Sequence, residues 1–305
     1  MGIHHRSGGT RSTIGAYIAL TKPRIIELLL VTTLPTMVVA KHGLPSLWLM
    51  LATLVGGTLA AGGANAINMV ADRDIDALMD RTKNRPLVTG AMSPRAALMF
   101  AVTLEAAAFV ELWSAVNLLS AVLAVSATLF YVFVYTLWLK RRSSQNIVIG
   151  GAAGAVPVLV GWAAVTGSLS WAPVVLFAII FIWTPPHFWS LAVRYREDYA
   201  SAEVPMLPVV ASMKRTTREI VLYTVALVAI SLLLGPVAHL GWIYTVAAAV
   251  LGGGFLSLTA HLWRLARLDR ATGRDAMLVF RYSITYLTIL FVAMAGDVLI
   301  RNQIH

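Results

Sequence analysis

Apolar and polar residues are arranged in long blocks along this chain, not as an alternation of single positions. Each apolar block is about as long as the roughly 20 residues that an α-helix needs to cross a bilayer. The pattern therefore predicts an all-α, polytopic membrane protein with nine transmembrane helices. We expect the helices at residues 25–40, 47–70, 96–114, 117–138, 147–166, 171–190, 219–238, 242–262 and 278–300.

The composition agrees with a lipid environment. Hydrophobic residues make up 58% of the 305 residues and charged residues 12%, whereas a soluble domain is about 25% charged. A bilayer can cover the apolar side chains that water cannot. We expect an N-terminal segment (1–24), a single membrane-embedded domain (25–300) and a short tail (301–305). The chain has no cysteine, which excludes disulfides and thiolate metal sites.

The basic residues lie almost entirely on one side of the predicted membrane. Of 24 Lys and Arg residues, 22 lie in the N-terminal flank or beside the connections that follow the even-numbered helices, and only Lys41 and Arg301 lie opposite. Such an excess marks the cytoplasmic side. This topology explains the net charge of +10 without nucleic acid, and it predicts a cytoplasmic N-terminus and an outer C-terminus in a cell membrane.

The basic, acid-free start of the chain has a second interpretation. Mitochondrial transit peptides are also Arg-rich and poor in acids, which would place the protein in the mitochondrial inner membrane. The segment shows little amphipathic pattern, and Gly8 and Gly9 disfavour a helix there. We therefore favour a cytoplasmic flank.

A stripe of oxygen-bearing side chains follows the second predicted helix. Asn68, Asp72 and Asp76 are four residues apart, so they fall on one face if the helix continues. Mg²⁺ prefers carboxylate oxygens and keeps positions for water and phosphate. The alternative is a solvated, acidic helix end, but Asp at a helix C-terminus opposes the helix dipole. The stripe therefore predicts a metal site.

Three cations follow the stripe at Arg81, Lys83 and Arg85. Arg can bind phosphate through two parallel hydrogen bonds, and Lys acts as a point charge. Taken alone, these residues would be ordinary positive-inside charge. Beside the acidic stripe, they predict a metal–diphosphate site at the cytoplasmic side.

The motif Asn68-x3-Asp72-x3-Asp76 resembles the first Asp-rich motif of the membrane-embedded prenyltransferase superfamily. Longer strings, spread over helices 1 to 9, resemble its protohaem IX farnesyltransferase (haem O synthase) branch. These strings are Asp72–Asp76 followed by Arg81-Thr-x-x-Arg85-Pro-Leu, Tyr135-Thr136 with Leu139-Lys140-Arg141, Asn146–Gly154, Trp183–Trp189, and Asp198-Tyr199 with Pro205–Pro208.

The resemblance implies helices around a central cavity and farnesyl transfer from farnesyl diphosphate to the 2-vinyl group of haem b, with addition of water to give haem O. It implies Mg²⁺ as cofactor and a downstream protein that accepts haem O for terminal oxidase assembly. Asp72, Asp76 and Asp198 would act in catalysis and, together with Asn68, hold the metal. Diphosphate would be bound by Arg81, Lys83, Arg85, Lys140, Arg141 and Arg194.

The second long cytoplasmic loop departs from the superfamily. Many relatives have a second Asp-x3-Asp there, but this chain has Arg194-x3-Asp198. Since Arg cannot bind Mg²⁺, we predict that Arg194 contacts diphosphate and that Asp198 is the ligand. For His187 two interpretations stay open: a haem contact, such as an axial ligand to iron, or a hydrogen-bonded histidine beside a proline kink. Trp189 and Tyr199 are further candidates for contact with haem.

Two other functions compete with this interpretation. Transporters place binding residues near the midplane on broken helices, whereas here the carboxylates cluster at one membrane face. A prenyltransferase for another acceptor, such as 4-hydroxybenzoate or chlorophyllide, would share the acidic stripe. Only the longer strings separate that possibility from the haem branch.

Overall fold

The computed structural model describes the backbone of residues 13–304 and the side chains of residues 13–23 and 31–301. This part of the chain is helical and contains no β-strand. The helices are α1 (Thr13–Thr21), α2 (Arg24–Lys41), α3 (Leu47–Ala71), α4 (Arg73–Leu78), α5 (Pro94–Ala115), α6 (Leu118–Leu129) with a π-helical continuation (Phe130–Leu139), α7 (Asn146–Thr166), α8 (Trp171–Arg194), α9 (Arg196–Ser201), α10 (Leu207–Val210), α11 (Met213–Val237), α12 (Trp242–Arg267) and α13 (Gly273–Ile304).

The predicted spans agree with these helices. Within the described residues, eight helices are long and apolar enough to cross a membrane, and they correspond to the last eight predicted spans. The first predicted span, 25–40, coincides with α2, and the side chains of residues 24–30 lie outside the description. The all-α, multi-pass fold class is confirmed.

The N-terminal segment contains a helix that the sequence did not predict. Residues 1–12 lie outside the description, but α1 packs Ala16 and Leu20 against Ala66 and Met69 of α3. The ring of Tyr17 meets Phe100 edge-on at 4.8 Å. These contacts fix the end of α1 beside the C-terminal end of α3.

The membrane helices form a ring of neighbours. Helix α3 packs on α5, and α6 on α7; α7, α8, α11, α12 and α13 follow as successive neighbours, and α2 contacts both α7 and α13. The largest buried apolar cluster lies between α8, α11, α12 and α13. Helices α3 and α5 approach closely at Gly63, where a Cβ atom would lie 2.6 Å from Glu105 Oε1, as is usual for small residues at membrane helix interfaces.

The π-helical segment ends next to the acidic stripe. The Lys140 N–H donates to the Tyr135 carbonyl (2.9 Å), and the Thr136 hydroxyl donates to the Tyr131 carbonyl (2.9 Å), both five residues back. A π-helix has a wider turn than an α-helix, so residues five apart share a face. Tyr135 and Lys140 therefore both line the interior of the ring.

Candidate active site

A cavity of about 430 Å³ opens between α2, α3, the α6–π segment, α7 and α8. Ligand sites usually enclose about 300–1,000 Å³. Small and apolar side chains form much of its wall, while charged side chains gather at one end, which we call the mouth. The wall includes Ala60, Ala61, Ala64, Ala124, Gly150, Gly154 and Pro157, and the mouth includes Lys22, Asn68, Asp76, Arg81, Arg85 and Lys140.

The acidic stripe forms as the sequence predicted, across a break in the helix. Helix α3 ends at Ala71 and α4 begins at Arg73, yet the Asp72 N–H donates to the Asn68 carbonyl (2.9 Å) and the Asp76 N–H to the Asp72 carbonyl (2.8 Å). The spacing of one helical turn is therefore kept. The Asn68 amide also donates to Asp72 Oδ2 (2.7 Å) and to Thr136 Oγ1 (3.1 Å).

Each buried carboxylate of the stripe has its own cation. Asp72 is fully buried and accepts a hydrogen bond from the Lys140 ammonium. Asp76 accepts one from Arg85 Nη1 at 2.5 Å. Removing one partner of a buried ion pair leaves an uncompensated charge, which is strongly destabilising. Lys140 and Arg85 therefore stabilise the carboxylates in place.

The residues present fit a hard divalent cation. Asp72 Oδ1 is buried without a hydrogen-bond partner, and Asp76 lines the cavity. The described residues contain no cluster of three His, Cys, Asp or Glu side chains that could hold a metal. Two carboxylates leave positions for water and phosphate, and Mg²⁺ is usually bound in this way. Asn68 Oδ1 accepts a hydrogen bond from Lys22 and would become a further ligand once Lys22 turns to the phosphate.

Lys22 belongs to this mouth, although its place in the sequence predicted only flank charge. Its Nζ donates to Asn68 Oδ1 at 3.0 Å, and its backbone adopts a left-handed conformation with φ of 50°. Burial and, to a smaller extent, the neighbouring charges of Arg85 and Lys140 together lower the pKa of Lys22 to about 7. The available sequence signal was its position directly before Pro23, at the start of the first span.

Arg81 is the mouth cation that contacts aromatic rings. Its guanidinium carbon lies 4.7 Å from the ring centre of Tyr199 and 5.7 Å from that of Tyr195. Among the described residues, Arg81 and Lys22 are the mouth cations without a carboxylate ion pair. Their charge is therefore available to an anionic ligand.

Two further predicted diphosphate contacts lie outside the cavity wall. Lys83 pairs with Asp80 (2.6 Å), and both side chains are exposed. Arg141 makes two hydrogen bonds to Asp74, at 2.6 and 2.7 Å. The Arg141 hydrogen bonds lower the pKa of Asp74 to about 2. The structure thus places these two cations with surface carboxylates.

Arg194 and Asp198 are not brought to the acidic stripe. Arg194 ends α8, is exposed, and packs against Gly273 at the start of α13. Asp198 is half-buried, and neither residue lines the cavity. Among the side chains of α9, Tyr199 lines the cavity. The roles predicted for Arg194 and Asp198 stay predictions.

His187 and Trp189 lie between helices, and neither lines the cavity. His187 stacks between Trp183 and Phe280, with ring centres 4.1 and 4.6 Å away. Its Nδ1 lies 2.7 Å from Ser283 Oγ, and that hydroxyl donates to a backbone carbonyl, so Nδ1 is the donor to Ser283. Trp189 is buried against the edge of Tyr223. Tyr199 is the one candidate haem contact of the three that reaches the cavity.

Comparisons with known proteins agree with this arrangement. The model of the UbiA prenyltransferase family matches residues 29–285. A protein named protoheme IX farnesyltransferase from Kineococcus radiotolerans is 59% identical over 299 residues, covering 94% of this chain and 88% of its own. One of the same name from Streptomyces coelicolor is 54% identical over 298 residues, covering 97% and 94%.

Solved structures show the same fold at low identity. A digeranylgeranylglyceryl phosphate synthase structure superimposes with a TM-score of 0.77 and 18% identity, covering 95% of this chain and 99% of its own. A UbiA homologue from Archaeoglobus fulgidus, bound to DMAPP and Mg²⁺, gives a TM-score of 0.63 and 19% identity, covering 93% and 98%. These likenesses establish the fold.

Proposed function

Since this chain belongs to the UbiA prenyltransferase family, we propose that it transfers the farnesyl group of farnesyl diphosphate to the 2-vinyl group of haem b. Water then adds to give haem O. The observation that supports farnesyl diphosphate as the donor is a cavity with an apolar wall and a mouth of buried carboxylates and cations. The names of relatives that are 54–59% identical over nearly the whole chain support haem b as acceptor.

The mouth residues have three different roles in binding diphosphate. Asn68, Asp72 and Asp76 would hold Mg²⁺, which when bound neutralises negative charge on the diphosphate as it leaves. Lys140 and Arg85 keep the two carboxylates in place through their ion pairs. Lys22 and Arg81 have no such pair and bind the diphosphate oxygens directly, by charge-assisted hydrogen bonds.

The wall accommodates the prenyl chain and keeps water away. Ala60, Ala64 and Gly154 line it with little bulk, and a Cβ on Gly154 would have no neighbour within 4 Å. An allylic cation that forms at the mouth would otherwise be captured by bulk water. Excluding water until the vinyl group attacks prevents that side reaction.

The mouth faces the cytoplasm of a cell in this proposal, and the C-terminus lies outside. The loops after α3, the π segment and α8 all meet at the mouth, so they share one side, and this side has the basic excess. A reporter fused after Thr89 should be cytoplasmic, and one fused after Gly167 should be on the outer side. Finding both in one compartment would contradict the topology. A downstream protein that accepts haem O is part of the same proposal.

Product analysis tests the function directly. Purified protein in detergent, given farnesyl diphosphate, Mg²⁺ and haem b, should yield a haem heavier by one farnesyl group plus one water. Parallel reactions with 4-hydroxybenzoate test the competing acceptor, and reactions without Mg²⁺ test the metal. Prenylation of 4-hydroxybenzoate with haem b left unchanged would overturn the acceptor assignment.

A further inference from the structure

The second cytoplasmic loop reaches the cavity through an aromatic ring. Tyr199 is 6% exposed. It packs in a cluster with Ile75 and Met79 of the first loop, between α3 and α5, and with Val204 and Met206 of its own loop, between α8 and α11. The Tyr199 N–H donates to the Tyr195 carbonyl (3.1 Å), and the Val204 N–H donates to the Tyr199 carbonyl (3.0 Å). The ring is therefore fixed by backbone hydrogen bonds and by packing across both loops.

The Tyr199 ring packs against the Arg81 side chain, which has few other contacts. Arg81 is exposed, and its guanidinium carbon is 4.7 Å from the Tyr199 ring centre. Its other contacts are the more distant Tyr195 ring (5.7 Å) and a weak hydrogen bond to Met79 Sδ (3.7 Å). Both Arg81 and Tyr199 line the mouth of the cavity.

We propose that Tyr199 is a positioning residue, which holds the Arg81 guanidinium in the orientation that binds the diphosphate of farnesyl diphosphate. The inference rests on the proposed function. It assigns to the second loop the task of orienting a cation of the first loop.

The chemistry of a guanidinium explains why a ring suits this task. A free Arg side chain samples many rotamers, and ordering it on binding costs conformational entropy. An aromatic face attracts the flat face of the guanidinium. Its N–H donors, which lie in the guanidinium plane, then stay free for phosphate oxygens. A carboxylate at this position would instead compete with the diphosphate for the same donors.

Steady-state kinetics with each substrate varied in turn test the proposal. Tyr199→Leu should lower kcat/KM for farnesyl diphosphate by about fivefold, the size expected for one partly exposed cation–π contact, and leave the KM for haem b unchanged. Tyr199→Phe keeps the ring face and should stay within about twofold of the wild type. Tyr195→Leu, which removes the more distant ring, should have a smaller effect than Tyr199→Leu.

A double variant distinguishes positioning from a structural role. Arg81→Gln should cost about 10²-fold in kcat/KM for farnesyl diphosphate. If Tyr199 acts through Arg81, adding Tyr199→Leu to Arg81→Gln should cause no further loss. Binding of labelled farnesyl diphosphate with Mg²⁺ and without haem should weaken about fivefold in Tyr199→Leu. Because this binding assay needs no acceptor, it remains informative even if the wild type fails to farnesylate haem b.

Three results would overturn the proposal. The first is full additivity of the two substitutions. The second is a Tyr199→Phe variant as impaired as Tyr199→Leu, since the hydroxyl and not the ring would then matter. The third is a rise in the KM for haem b alone, which would make Tyr199 a contact of the acceptor.

Discussion

The two long polar loops occupy corresponding positions, four predicted helices apart, yet they contribute different chemistry to the mouth of the cavity. The first, between α3 and α5, supplies buried carboxylates and the cations Arg81 and Arg85. The second, between α8 and α11, places Arg194 in solvent and a tyrosine ring at the cavity. Equivalent positions in a fold thus do not imply equivalent residue roles: of these two loops, the first supplies the charged side chains that line the mouth.

Burial distinguishes the charged residues of the two loops. Asp72 and Asp76 are 0% and 2% exposed, and each is fixed by a cation. Electrostatic interactions are stronger where water is excluded, so these two charges would act strongly on an ion bound at the mouth. Arg194 is exposed and does not line the cavity, so solvent screens its charge from such an ion.

The largest expected effect comes from removing a buried carboxylate of the first loop. Asp72→Ala should lower turnover by at least about 10³-fold, because it removes a metal ligand and leaves Lys140 unpaired. Asp76→Ala should behave similarly. Haem O formation by membranes of equal protein content measures the effect.

The matched control is Asp80→Asn on the same loop. Asp80 is exposed and paired with exposed Lys83, so its loss should change turnover by no more than about twofold. Near-normal haem O formation by Asp72→Ala would contradict the importance assigned to the first loop.

Two adjacent cations test whether position, and not charge alone, decides function. Lys140 lines the cavity and pairs with buried Asp72, whereas Arg141 pairs with exposed Asp74. Lys140→Met should lower kcat/KM for farnesyl diphosphate by about 10²-fold, and Arg141→Met by no more than about threefold. Equal losses in the two variants would show that both cations serve the diphosphate, as the sequence predicted.

Arg194 tests the second loop itself. The sequence predicts that it contacts diphosphate, and loss of such a contact would cost about 10²-fold in kcat. Its exposed position against Gly273 leads us to expect a loss of at most about threefold for Arg194→Ala. Steady-state kinetics with farnesyl diphosphate varied measure the difference. A hundredfold loss would mean that the second loop rearranges when substrate binds.

Sequence patterns predicted most of the fold, since each apolar block of about 20 residues has few alternatives to a spanning helix. They also predicted the stripe of Asn68, Asp72 and Asp76, because a spacing of four is a local property of a helix. The sequence patterns could not show which cations line the cavity. Lys140 and Arg141 are adjacent, and only the wider π-helical turn directs Lys140 to the interior.

The contributions of Lys22 and Tyr199 depend on contacts that are distant in sequence. Lys22 bonds Asn68, 46 positions away, and Tyr199 contacts Arg81 across two loops. A single chain, read without its fold, gives no signal for such pairs. The sequence predicted a metal ligand at Asp198 and a haem contact at Tyr199, and of the two residues Tyr199 lines the cavity.

The smallest expected effect concerns the exposed ion pair between Asp74 of the first loop and Arg141, which follows the π-helical segment. The Arg141 hydrogen bonds lower the pKa of Asp74 from 3.8 to about 2, so the pair stabilises the fold fully above pH 3.8 and loses that contribution as the pH falls through about 2.

The two side chains are 60% and 39% exposed, and solvent screening limits such a pair to less than about 1 kcal/mol. Asp74→Asn should therefore lower the midpoint of thermal unfolding in detergent at pH 7 by less than about 3 °C. Arg141→Met should act similarly, and the double variant should be no less stable than either single one. A much larger drop in Asp74→Asn, with turnover lost as well, would mean that this exposed pair supports the junction of α3 and α4, and the contrast between buried and exposed charges within the first loop would fail.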